Sequence, residues 1–165
     1  MTRSETPPLE LSEPRFAGFF ALIYAHAALT ARIDALLTAR HHITFSAFEV
    51  FCRLRESEPQ AMRSLARLLV SVSPTRASRI VQEHIDAGHL ARAADQTDGR
   101  ISLISLTDAG RRYADAVSRT FEQAIDQHFA GVLDEEDMNA LLRIWEKLHQ
   151  TSNPGPPPPS ERNHA

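Results

Sequence analysis

The stretch that most constrains this 165-residue chain lies between residues 62 and 106, where helix and strand punctuation follow one another in a fixed order. Ser73 followed by Pro74 is a strong helix start. A serine hydroxyl accepts one of the free N–H groups of a first turn, and proline lacks the N–H that would otherwise go unpaired there. Gly88 is the matching stop, so a helix is expected from Pro74 to Ala87, preceded by a shorter one from Met62 to Leu69. Beyond Gly88, Leu90–Ala94 and the alternating Ile101–Leu106 read as short strands joined by the turn-rich Asp95-Gln96-Thr97-Asp98-Gly99. The expectation is helix, turn, capped helix, then a two-stranded hairpin.

Long helices flank this unit. The first is expected from about Pro14 to Ala39 and carries two adjacent apolar stripes. One comprises Phe16, Phe20, Ile23, Ala27 and Leu37; the other Phe19, Leu22, His26, Leu29, Ile33 and Leu36. A helix apolar over so wide an arc has to bury more than one side, against its own domain and against a second chain. A second helix starts at Thr44 or Ser46 and ends at Glu58-Pro59. Thr107 or Asp108 caps a long helix bearing Tyr113, Val117, Phe121, Ala124, Ile125, His128 and Phe129 on one side, and a last helix carries Met138, Leu141, Leu142, Trp145 and Leu148. The fold class is therefore mainly α with a small β-hairpin. Residues 1–12 and the proline-rich 151–165 are expected to be loose ends around one domain, 13–150.

Composition narrows the function classes. A single cysteine, Cys52, excludes an internal disulfide and suits a reducing compartment. The start, Met1-Thr2-Arg3-Ser4-Glu5, lacks the apolar core of a secretory signal, and Arg32 and Asp34 interrupt the best candidate for a membrane span, so a soluble cytoplasmic protein is expected. The net charge of −3 conceals an asymmetry: residues 61–112 hold eight arginines against five acidic residues, whereas the remainder is acidic. Lys147 is the only lysine, and arginine has the planar fork suited to phosphates and guanine edges. Solvated surface charge would give the same imbalance. There is no glycine-rich phosphate loop, nucleophile elbow or paired-carboxylate motif, so neither an enzyme nor a bound cofactor is expected.

Helix, turn, capped helix and ribbon is the layout of a winged helix-turn-helix, whose second helix lies in the DNA major groove while the ribbon reaches the neighbouring backbone or minor groove. Ser73, Pro74, Thr75, Arg76, Ser78 and Arg79 occupy the leading turns of that helix, with Ala77, Ile80, Val81 and Ile85 on the opposite side as its anchor. The winged lobe would span residues 44–106, with dimerisation helices over 14–39 and 108–150. Duplex DNA is the expected partner, a near-palindrome if two copies bind together.

At these residues the chain resembles the MarR family of bacterial transcriptional regulators. Asp98-Gly99-Arg100, followed after five residues by Leu106-Thr107-Asp108-Ala109-Gly110, is similar to the family's wing signature, and Ser73–Val81 resembles its recognition helix. The resemblance covers about residues 14–150. It implies a homodimer, commonly a repressor, with Arg100 in the minor groove and Asp98 placed to hold Arg100. It also implies a small aromatic or phenolic ligand between the dimer helices and the DNA-binding lobe. Two departures stand out: the turn before Ser73 is one residue longer than usual and holds Val70-Ser71-Val72, and His84 occupies a position generally aliphatic.

Six of eight phenylalanines fall in residues 16–51, so Phe19, Tyr24, His26, Phe48 and Arg53 are the candidate effector-binding residues. Core packing would use the same phenylalanines. Cys52, at helical spacing from Phe45 and Phe48, is expected to point into the core and be inert rather than a peroxide sensor. His26, His41, His42 and His128 show no metal-binding spacing, so no metal is expected. A protein-binding winged helix, and a metal- or redox-responsive regulator, are the alternative functions.

Overall fold

A computed structural model describes residues 13–69 and 72–151. The chain runs α1 (Pro14–His41), α2 (Phe45–Glu56), β1 (Gln60–Ala61), α3 (Met62–Leu68), α4 (Pro74–Asp86), β2 (Leu90–Ala94), β3 (Ser102–Leu106), α5 (Asp108–Ile125), a π-helical turn (Asp126–Ala130) and α6 (Glu135–Thr151). The expected loose termini lie outside the described residues, except Thr151, which closes α6. Residues 70 and 71 of the turn before α4 lie outside them too.

Local chemistry accounts for the borders. The hydroxyls of Thr44, Ser73 and Thr107 accept the N–H groups of Ala47, Arg76 and Gly110, starting α2, α4 and α5. α1 extends two residues beyond the expected Ala39 and stops where His42 turns left-handed at φ 55°, its N–H donated to the Thr38 carbonyl. Gly88, at φ +76°, makes the corresponding exit after α4. Asp34 then joins α1 to α2 by accepting the Phe45 N–H at 2.5 Å.

The expected hairpin forms, and a third strand joins it. β2 and β3 pair in register, Leu90 opposite Leu106 and Ala94 opposite Ser102, but β1 adds a third strand on the other edge of β3, with Gln60 opposite Ile104. A two-residue strand is too short to show alternation, and its partner lies some forty residues away, so nothing local announces it.

Phe48, Phe51 and Leu54 of α2, Leu65 of α3, Val81 of α4, Ile104 of β3 and Val117 of α5 form a closed core. Gly110 lets α5 touch the root of the wing: a β-carbon there would overlap the His89 carbonyl oxygen. α1 and α6 differ from the rest. Only Ile33 and Leu37 of α1 are buried, and no described residue of α6 is. Phe19, Leu22, Ile23, Leu142, Trp145 and Leu148 stand exposed on these two helices. By length and composition α1 could cross a membrane. Its C-terminal half, however, is built into the folded lobe through Ile33, Leu37 and the Asp34 bond.

Candidate nucleic-acid interface

α4 divides by face as the sequence indicates. Ala77, Ile80 and Val81 are buried, while Ser73, Pro74, Thr75, Arg76, Ser78 and Arg79 face solvent. The Ser73 hydroxyl caps the helix at 3.4 Å from the Arg76 nitrogen, and the Ser78 hydroxyl donates to the Pro74 carbonyl at 3.1 Å. Both hydroxyls therefore serve the helix itself. Arg79 reaches along the surface to Glu83, Nε to Oε1 2.9 Å, in a largely exposed pair that costs little to exchange. The Arg76 guanidinium has no ion pair among the described residues. What α4 presents outward is a rigid helix start carrying two available arginines.

The wing turn is ordered by carboxylates acting on main chain. Asp95 accepts the Thr97 N–H at 2.8 Å, the Thr97 hydroxyl and the Asp98 N–H at 3.0 Å, and these donors hold its carboxyl below the usual carboxylate range. Asp98 accepts the Arg100 N–H at 3.0 Å. Asp98, expected to hold Arg100, acts on the Arg100 backbone, as an aspartate two residues upstream is suited to do. The exposed guanidinium has no ion pair among the described residues. Asp95 was not singled out from sequence, although Asp-x-Thr in a strand connection is a recognisable turn former. Arg92 was also missed as an individual site residue. It lies exposed on β2 and lines a shallow groove with Arg100 and Ile101.

The five candidate effector residues do not converge. Phe48 is a core side chain, its ring 5.3 Å from Phe121 of α5. Arg53 sits between Glu49 at 3.9 Å and Glu56 at 3.2 Å, with its side chain 11% exposed. Phe19 and Tyr24 lie on the open surface of α1. His26 lines a cavity of about 550 Å³ between α1 and α6, together with Arg32, His128 and Phe129, whereas Phe19 borders a separate open groove with Arg15, Phe16 and Phe20. Helical spacing shows which residues share a face of one helix but not which faces of two helices meet, and α2 turns Phe48 toward α5.

A second cavity, about 630 Å³, opens where the end of α1 meets α4. His41, His42, Arg76, Arg79, His84 and Tyr113 are among its walls. Cys52 is half-buried, and burial pushes its thiol up to about 11, which leaves almost no thiolate at neutral pH. Among the described residues no three histidine, cysteine or acidic side chains gather in a way that could hold a metal ion.

No protein-family model and no curated protein matches this sequence. Solved structures do. A MarR family transcriptional regulator from Streptomyces coelicolor in complex with DNA superposes with a TM-score of 0.79 at 20% identity, covering 88% of this chain and 95% of that one. AbsC, a second MarR family regulator from the same organism, gives 0.77 at 21% identity over 88% and 97% of the two chains. BpsR of Bordetella bronchiseptica, whose DNA binding is regulated by 6-hydroxynicotinic acid, gives 0.72 at 21% identity over 86% and 97%. The fold of this chain is the winged helix-turn-helix fold of those regulators.

Proposed function

We propose that this chain is a MarR family transcriptional regulator, a cytoplasmic homodimer that binds duplex DNA at a near-palindromic operator and acts as a repressor. The observation that carries the reading is the solvent-facing start of α4, where Arg76 and Arg79 are held by a helix whose opposite side is locked into the core. Such a helix enters a major groove with fixed orientation, and arginine forks onto guanine edges or phosphates. Arg79 exchanges Glu83 for DNA. Arg100, on a turn fixed by Asp95 and Asp98, reaches the adjacent minor groove, where negative potential concentrates. Arg92 meets the intervening backbone. The protein's part in this is binding, with no catalytic step.

The exposed apolar side chains of α1 and α6 support the homodimer, because a symmetric second copy covers both helices at once. A twofold axis between them sets the two α4 helices about 34 Å apart, one turn of DNA. A small aromatic acid suits the cavity beside α4, with its carboxylate toward Arg76 and Arg79 and its ring against Ile43 and Ile80. It would then compete with DNA for the same arginines.

Selection from random duplex DNA with the purified protein, followed by fluorescence anisotropy, tests the reading. Four exposed arginines per protomer give about eight phosphate-range contacts per dimer, so affinity should fall roughly 10³-fold or more between about 50 and 200 mM salt. Failure to retain any duplex, or binding indifferent to salt, contradicts it; binding instead to an acidic protein favours the protein-interaction alternative.

A further inference from the structure

His84, in the last turn of α4, and His89, at the root of the wing, meet ring to ring with their Nδ1 atoms 3.4 Å apart. One must donate and the other accept, since each neutral imidazole carries a single N–H. Aromatic rings flank the pair. Phe51 of α2 stands edge-on to His84 at 4.8 Å, and Tyr113 of α5 stacks on His89 at 4.2 Å with the planes 9° apart. The Tyr113 hydroxyl donates to the His41 carbonyl at 2.8 Å, so this cluster ties the recognition helix and wing to the end of α1.

We propose that His84 and His89 form a proton-operated catch that holds the recognition helix against the wing root when neutral and releases it when both rings are protonated. This rests on the DNA-binding reading above. A first proton is tolerated, because it can enter at an Nε2 and leave the N–H···N bond in place. A second removes the last acceptor lone pair. Two cationic N–H groups then face each other across the former bond, and attraction becomes repulsion.

The two sides yield unequally. The His89 carbonyl accepts the Thr107 N–H at 3.1 Å, the Thr107 hydroxyl is shared between the Gly88 carbonyl at 2.7 Å and the His89 carbonyl at 3.1 Å, and Gly110 lies directly against His89. The His89 backbone is therefore clamped by the start of α5. Displacement falls on His84, and α4, which also bears Arg76 and Arg79, moves with it.

The surroundings set the direction. The groups around the shared cavity are Glu83, Arg79 and Arg76 from α4, His41 and His42 at the end of α1, and Tyr113 from α5; no charged side chain of α2 or α3 lines it. Burial lowers the affinity of both rings for a proton, and for His84 the neighbouring His89 adds to the effect, outweighing Glu83. A histidine held below its ordinary value binds fewer protons folded than unfolded. The packed arrangement therefore keeps its full stability above about pH 6.5 and loses it as pH falls below that value.

The test is made on the full chain at constant ionic strength, comparing wild type with His84→Asn and His89→Asn. Two readouts are followed from about pH 8 to pH 5.5: affinity for a selected duplex, and Tm of the free protein. For wild type a falling Tm and a loss of affinity of about tenfold or more are expected, because two protons act together. Both pH dependences should flatten in the asparagine variants, which keep a hydrogen-bonding group but cannot titrate. Wild-type affinity that is level or rises on acidification overturns the catch, as does an undiminished pH dependence in both variants. If wild type binds no duplex at about pH 8, the DNA-binding reading fails, and the Tm comparison decides the catch alone. Matching Tm slopes then overturn it and a flattened slope in the variants supports it. Should one variant fail to fold, the other supplies the comparison.

Discussion

Replacing Arg100 with alanine separates what the wing needs to fold from what it needs to bind. The turn is held by Asp95, which accepts two N–H groups and a hydroxyl, and by Asp98, which accepts the Arg100 N–H. Alanine supplies the same N–H, and the guanidinium it removes is exposed, so stability should change by less than about 0.5 kcal/mol. Binding should respond differently. In the proposed dimer each protomer withdraws one charge from the DNA, so two are lost. With a slope near −0.9 per neutralised charge, the dependence of log affinity on log salt should become shallower by about 1.8. Anisotropy across a salt series, with thermal melts run in parallel, measures both quantities. An unchanged salt slope, or a large fall in Tm with binding merely following it, would refute the assignment of Arg100 as a DNA-reaching side chain on a self-sufficient turn.

Three further outcomes follow from other parts of the molecule. Phe48→Ala empties a site walled by the α2–α5 core and should cost about 3 to 5 kcal/mol in denaturant unfolding, while an effect below about 1 kcal/mol would return Phe48 to the candidate ligand residues. Trp145→Asp, on the exposed apolar face of α6, should produce monomers in sedimentation equilibrium and lose operator binding, because in the proposed dimer it would bury a carboxylate; a stable dimer would place the interface elsewhere. Cys52, with its thiol near 11 against a usual 9.0, should react with iodoacetamide in the native protein about a hundredfold more slowly than a free cysteine, and a rate equal to that of the free amino acid would reopen the redox alternative.

Most of the fold was legible because its signals are local. Ser73-Pro74 and Gly88 bracket α4 to within a residue, Thr107 caps α5, and the unused apolar arc of α1 is seen as exposed Phe19, Leu22 and Ile23. The winged lobe was readable for the same reason, since Arg76, Arg79 and Arg100 belong to short stretches with their own punctuation. What escaped depends on contacts between distant segments. β1 exists only through its pairing with Ile104 and Leu103. Aromatic content suggested a ligand site at Phe19, Tyr24, His26, Phe48 and Arg53, but the folding of α2 onto α5 put Phe48 in the core and left Phe19 and Tyr24 outside it. His84 departs from the aliphatic residue usual at its place on α4. Its partners His89, Phe51 and Tyr113 come from three other parts of the chain, which no local signal brings together.

The most direct measurement is a structure of the protein bound to a duplex recovered by selection. The expected result is two chains related by a twofold, with Arg76 or Arg79 of each within hydrogen-bond distance of major-groove bases or phosphates and Arg100 in the neighbouring minor groove. DNA lying against another face, with the start of α4 still open to solvent, would contradict it.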